Sequence, residues 1–242
     1  MPIQCESCPL RRLPVFDPMT PEEVAFTQRF KVGEMVVDAG SVVMQEGLGS
    51  SQLFTVLEGL GLRYKTLPDG QRQIISFVMP GDFIGLQSAV MEDMGHSFRA
   101  TTRMRLCVFD KRRLWTLFES HPDRAFDLTW LAADEERFLG ETLASLGQRP
   151  AATRMAWLLL HLYRRGRELG LTDGATMPLP YRQQDMADAL GLSLVHTNKT
   201  LARLREGGVV NWQDGILTVP DAGALARAAN ADPSEVRHRP LI

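Results

Sequence analysis

What this sequence has little of narrows its class first. No stretch of its 242 residues approaches the ~18 uncharged apolar residues that a membrane-spanning helix requires. Its opening Met1-Pro2-Ile3-Gln4-Cys5-Glu6 lacks the basic and then apolar run of a secretory leader. The expected location is the cytoplasm. Cysteine is scarce: three residues, an odd set in a reducing compartment, exclude a disulfide framework and leave a reactive thiol or a metal role open. No nucleophile and base pair, phosphate-cradling loop or paired-acid motif stands out, which argues against an enzyme. Charge of either sign is not in excess. A formal net charge of −2 excludes a polyanion binder that uses its whole surface, so any nucleic-acid function must rest on local charge.

What is present is organised along the chain. Between about Phe30 and Phe109, glycines separate short β-rich runs such as Leu53-Phe54-Thr55-Val56-Leu57 and Gln73-Ile74-Ile75-Ser76-Phe77-Val78. This pattern predicts a small antiparallel all-β roll. Pro68-Asp69-Gly70 reads as a hairpin turn, because glycine accepts the positive φ that such a turn imposes. The periodicity then becomes helical. Asp110 to His121 predicts a short helix and Asp123 to about Gly147 a long one, with Leu128, Leu131, Phe138, Leu139, Leu143 and Leu146 near one side. That side is either a seam between two subunits or a face packed on its own domain, since Glu135 and Thr142 interrupt the heptad. After Pro150, Ala151 to Glu168 predicts an apolar helix, and the polar stretch Gly170 to Pro180 a loop.

The segment Arg182 to Ser193 has the spacing of a helix followed by a sharp turn. Ala187 lets two helices approach closely, Gly191 accepts the turn, and Ser193 can cap the next helix, expected over Leu194 to about Glu206. On that second helix Thr197, Thr200, Leu201 and Leu204 share one face. Val195, His196, Asn198, Lys199 and Arg203 fall largely on the other, and with Arg182, Gln183 and Ser193 they form the candidate DNA-reading set. Such a helix inserts its first turns into the major groove. Lys199 can donate to guanine, Asn198 can pair with adenine, His196 can donate or accept, and Val195 can meet a thymine methyl. Val209-Val210-Asn211-Trp212 and Ile216-Leu217-Thr218-Val219, joined by Gln213-Asp214-Gly215, predict a β-hairpin wing. From Arg149 to Val210, nine basic residues stand against five acidic ones, a local excess that suits a DNA-facing module.

In these motifs the chain resembles the Crp/Fnr family of transcription factors over nearly its whole length. The residues that carry the likeness are Gly33, Gly40, Gly47, Gly59, Gly70, the run Gly81-Asp82-Phe83-Ile84-Gly85, and Ala187 to Leu204. The resemblance implies an α+β chain: an N-terminal antiparallel β-roll of the double-stranded β-helix, jelly-roll-like kind, a long dimerisation helix and a C-terminal winged helix-turn-helix. The expected divisions are 1–22, an N-terminal segment with CxxC; 23–121, a cyclic-nucleotide-binding-like sensor roll; 122–148, the dimerisation helix; and 149–242, the DNA-binding domain. The family implies a homodimer on a two-fold symmetric duplex site, with RNA polymerase as a further partner.

It also implies an effector pocket at Phe83, Gly85, Leu86, Ser97 and Arg99. Cyclic-nucleotide-binding members place Glu after the glycine matching Gly85 and an Arg some residues later. Here Leu86 follows, and Glu92 and Asp93 precede the first Arg, Arg99. A phosphate would meet repulsion there, which argues against cyclic AMP and toward another signal, redox or oxygen among them. The oxygen-sensing branch holds a [4Fe–4S] cluster on four thiolates, three of them near the N-terminus. This chain has Cys5 and Cys8 there and Cys107 about where the branch carries its distant cysteine. Three readings stay open for these thiols: buried apolar side chains, redox thiols, or a labile iron–sulfur cluster completed by another ligand. Two other function classes fit less well. A β-roll metalloenzyme of the cupin kind needs several histidines, and the roll offers His96 alone. A small-ligand module that regulates a partner protein leaves the helix-turn-helix and wing unexplained.

Overall fold

A computed structural model of the chain describes residues 2–232 and 237–242. The chain divides into two compact units, the first formed by residues 1–66, 76–137 and 238–242, the second by residues 67–75 and 138–237.

In the first unit, α1 (Pro21–Phe30) leads into β1 (Lys31–Val37). Thr20 caps α1: its hydroxyl accepts from the Glu23 amide while the Glu23 carboxylate accepts from the Thr20 amide. The roll continues through β2 (Val42–Met44), β3 (Gln52–Glu58), β4 (Gly61–Thr66), β5 (Arg72–Val78), β6 (Phe83–Ile84), a short helix α2 (Leu86–Met91), β7 (Ser97–Ala100) and β8 (Met104–Asp110). The strands form two four-stranded sheets, ordered β1-β8-β3-β6 and β2-β7-β4-β5, antiparallel in every pair with a described register. Val56, Val78, Ile84, Phe98, Met104 and Leu106 fill the core and are almost wholly buried. Gly85 shows why glycine recurs here. At φ 101° it starts α2, a backbone conformation that other side chains rarely adopt, so the turn demands glycine.

Asp110 to His121 is not one helix as expected. The Asp110 carboxylate accepts from the Arg112 amide and stabilises a 3₁₀ turn over Lys111–Arg113 before α3 (Leu114–Ser120) begins. The long helix α4 (Pro122–Gln148) has the expected extent. Residues 238–242 belong to the first unit rather than to the C-terminal domain expected over 149–242. Arg239 pairs with Asp82 at 3.0 Å, the Thr55 hydroxyl donates to the Ile242 carbonyl at 2.5 Å, Arg124 donates to the Leu241 carbonyl, and Leu241 and Ile242 are buried.

The second unit holds α5 (Ala151–Glu168), β9 (Thr176–Pro178), α6 (Gln183–Leu190), α7 (Leu194–Glu206), β10 (Asn211–Gln213), β11 (Ile216–Thr218) and α8 (Ala222–Ala229). Met155, Leu159 and Leu162 of α5 are fully buried and α8 packs against this helix. The stretch Gly170 to Pro180, expected to be a loop, contains β9, which adds a third strand to the wing in the order β10-β11-β9. The wing turn has Asp214 at φ 51° and Gly215 at φ 74° between the paired residues Gln213 and Ile216. Two consecutive positive φ values are what a two-residue hairpin with right-handed twist requires. No helix among the described residues is long and apolar enough to cross a membrane.

Candidate nucleic-acid interface

The backbone of the helix-turn-helix follows from local chemistry. Arg182 precedes α6 in extended conformation, and its amide donates to the Asp185 carboxylate at 2.9 Å. Gly191 ends α6 at φ 61°, in the left-handed region. Ser193 then caps α7, its hydroxyl accepting from the His196 amide at 3.2 Å. Met186, Ala187 and Leu190 of α6 and Thr197, Thr200 and Leu204 of α7 are buried, Ala187 and Thr197 completely. Ala187 thus occupies the close approach assigned to a small side chain.

The opposite flank of α7 is open. Val195, His196, Asn198, Lys199 and Arg203 are exposed, as are Ser193, Arg182 and Gln183. Val195, an apolar residue, is 65% exposed. No side chain among Val195, His196, Asn198, Lys199 and Arg203 has a hydrogen bond or ion pair to other described residues. The acidic residues of α6, Asp185 and Asp188, are occupied. Within this unit Arg72 binds Asp185 at 2.6 Å and Asp188 at 2.7 Å, and Gln184 donates to Asp188 at 2.6 Å. Their negative charge is largely compensated, which leaves the cations of α7 to set the sign of the local field. Between α7 and the wing lies a cleft of about 630 Å³ lined by Gln183, Asn198, Arg205, Trp212 and Gln213. Arg205 and the wing residues are additions to the sequence-based set. The wing is tied in place by Trp212, whose indole donates to the Leu179 carbonyl at 3.0 Å, a contact that depends on the unforeseen β9 region.

The residues expected around an effector pocket in the roll are brought into use by their own neighbours. Phe83 and Ser97 are buried. The Ser97 hydroxyl accepts from the Glu46 amide at 3.0 Å, and the Phe83 carbonyl accepts from Arg63 at 2.9 Å. Leu86 is half-buried at the start of α2, and Arg99 lies over the Tyr64 ring at 5.9 Å. Sequence reasoning missed the charged residues here. Arg63, 8% exposed, forms an ion pair with Glu135 of α4 at 2.8 Å, and Lys65 pairs with Glu46 at 2.9 Å. His96 sits among them. Burial, reinforced by the Arg63 charge, pushes its pKa down to about 4.

Of the residues expected on a subunit seam, Leu139 and Leu143 are exposed on α4, at 41% and 72%. Leu131 and Leu146 are half-buried. Leu128 is 1% exposed within its own unit, so it serves the core. Phe138, half-buried, stacks with Trp157 and His161 of α5, at 6.1 and 4.5 Å between ring centres.

Cys5, Cys8 and Cys107 all line one cavity of about 30 Å³, with Leu10, Phe109 and Leu241 among its other walls. Such a volume holds one or two water molecules, and an iron–sulfur cube with four ligands does not fit three thiols around it. Among the described residues no group of three or more His, Cys, Asp or Glu side chains is arranged to hold a metal ion.

Two family models match parts of the chain. Residues 34–121 match the cyclic nucleotide-binding domain family, and residues 153–228 the Crp-like helix-turn-helix domain. The nitrogen fixation regulation protein FixK of Bradyrhizobium diazoefficiens is 31% identical over 93% of this chain and 94% of its own. The transcriptional activator protein FnrL of Cereibacter sphaeroides is 27% identical over 86% of this chain and 84% of its own. The structure of FixK2 from Bradyrhizobium japonicum superposes with a TM-score of 0.74 at 25% identity, covering 82% of this chain and 98% of that one.

Proposed function

Since the chain belongs to the Crp/Fnr family of DNA-binding transcription regulators, we propose that it acts in the cytoplasm as a homodimer on a two-fold symmetric duplex site, with α7 in the major groove. The observation that carries this reading is the unpartnered polar flank of α7, an arrangement with no structural role inside the chain. Lys199 donates to guanine, Asn198 pairs with adenine, His196 reads a base edge, and Val195 contacts a thymine methyl. Arg182, Gln183, Ser193 and Arg203 hold phosphates and set the register. Leu139 and Leu143, exposed four residues apart on α4, belong to the seam between the two copies, and RNA polymerase is the partner of the bound dimer.

The signal is one other than cyclic AMP. Leu86 and the exposed Glu92 and Asp93 supply none of the ribose and phosphate contacts, and Arg63 is engaged by Glu135. Isothermal titration tests this point, and micromolar affinity for a cyclic nucleotide would overturn it. The DNA reading is tested by selecting bound duplexes from a random pool and sizing the complex. The expected product is an inverted repeat with half-sites about 34 Å apart and two chains per duplex. Recovery of unrelated sequences, or of one chain per duplex, would refute it.

A further inference from the structure

The three thiols share a cavity although they lie on different elements. Cys5 opens a 3₁₀ turn over Cys5–Ser7 and Cys8 follows it. The turn is held by the Cys5 amide, which donates to the Gln28 side chain at 2.7 Å, and by Arg11, which donates to the Cys5 carbonyl at 3.1 Å. Cys107 lies on β8, opposite Glu34 of β1 and Thr55 of β3. No pair is bonded in this structure. Their surroundings differ: Cys5 and Cys107 are buried, 8% and 7% exposed, whereas Cys8 is half-buried. Burial pushes the Cys5 thiol up and the Cys107 thiol to about 12, with the Lys31 charge opposing the rise at both. Buried, protonated thiols resist oxidants, while a reachable thiol beside a second one is placed to form a disulfide.

We propose that Cys8 and Cys107 form a peroxide-oxidisable dithiol. The Cys8 thiolate attacks one oxygen of a hydroperoxide, the O–O bond breaks, and Cys8 sulfenic acid forms as the other oxygen leaves and takes up a proton. Cys107 sulfur then attacks the Cys8 sulfur. The S–O bond breaks, and hydroxide leaves with the Cys107 proton as water. Two thiols are oxidised by two electrons and one hydrogen peroxide is reduced to two waters. The Lys31 charge opposes the rise of the Cys107 thiol, and both sulfur-bearing residues border the same cavity. The resulting bond ties the N-terminal turn to β8 beside Leu241 and Ile242.

The test is to treat reduced, anaerobically purified full chain with one equivalent of hydrogen peroxide, alkylate it after denaturation, and map peptides without reductant. The expected result is a linked pair carrying Cys8 and Cys107, and a fall from three free thiols to one. In Cys8→Ala, a change at the accessible site, peroxide consumption should slow at least tenfold. A Cys5–Cys8 link, Cys8 halted at sulfinic acid, three surviving thiols or an unchanged rate in Cys8→Ala would each overturn the proposal. Stoichiometric iron and sulfide in the anaerobic protein would overturn it as well, since a cluster would then occupy the thiols.

Discussion

The flank of α7 and the interior of the roll use the same charged side chains in opposite ways. On α7, Lys199 and Arg203 stand in solvent without partners among the described residues. In the first unit, Lys31 and Arg63 of the roll and Arg124 of α4 are buried, and each has a carboxylate within 2.8 Å. A buried charge must be paired because desolvation is costly, whereas a solvated charge left free can release counterions from a phosphate backbone on contact. Partnering thus separates side chains that hold this fold from those available to a ligand, and it does so where residue type alone cannot.

Breaking a pair in the roll should give the largest effect. Glu34 joins Lys31 at 2.6 Å and Arg105 at 2.8 Å, with the Lys31 and Glu34 side chains only 3% and 6% exposed. Burial opposes ionisation of Glu34. The hydrogen bonds from Lys31 and the Ile3 amide, with the Lys31 and Arg105 charges, outweigh it and hold the carboxyl below its ordinary range. Glu34→Ala strands two cations, and urea unfolding should show a loss of about 3–5 kcal/mol. A loss under 1 kcal/mol would mean that the pair does not hold the roll.

His96 should give an effect of comparable size that depends on pH. Its pKa falls from 6.5 to about 4 in the folded chain, so the unfolded chain binds the extra proton between those values. The stabilisation is complete above pH 6.5, is lost as pH falls to about 4, and is constant below. The whole step is about 3 kcal/mol. His96→Gln should remove that part of the acid-side slope. Denaturation midpoints measured from pH 7 to pH 4 check this, and parallel curves for the two proteins would refute it.

The two regions also differ in how far they can be read from sequence. The helix-turn-helix was legible as a helix, a turn at Gly191 and a second helix starting at Leu194, because its determinants are local: the cap at Ser193, the positive φ at Gly191, and apolar spacing within thirteen residues of α7. Strand β9 was not, since three residues inside a polar stretch carry too little alternation to register. The roll was legible as strands and turns, but its charge pairs were not. Arg63 meets Glu135, and residues 238–242 reach Asp82 and Thr55, across distances in sequence that no local pattern reports. The same limit hid the shared cavity of Cys5, Cys8 and Cys107, and the burial of Leu128 inside its own unit.

On the DNA side the effects should be smaller and should fall on binding rather than on folding. Lys199→Ala should weaken specific binding by about 1–3 kcal/mol and relax the preference at one position. Arg182→Ala should weaken all duplexes alike and lower the salt slope by about one. Gel shifts on selected and scrambled duplexes at several salt concentrations separate the two, and unchanged affinity in both variants would remove α7 from the interface.

Ser193 links the two kinds of effect. Its hydroxyl satisfies the His196 amide, so Ser193→Ala should cost about 1 kcal/mol of stability. Ser193→Asp keeps an acceptor for that amide but adds a negative charge where a phosphate is to lie, so it should restore stability while weakening binding to every duplex. If Ser193→Asp restored both, the capped end of α7 would not face the backbone, and the same polar flank would have to meet DNA from another direction.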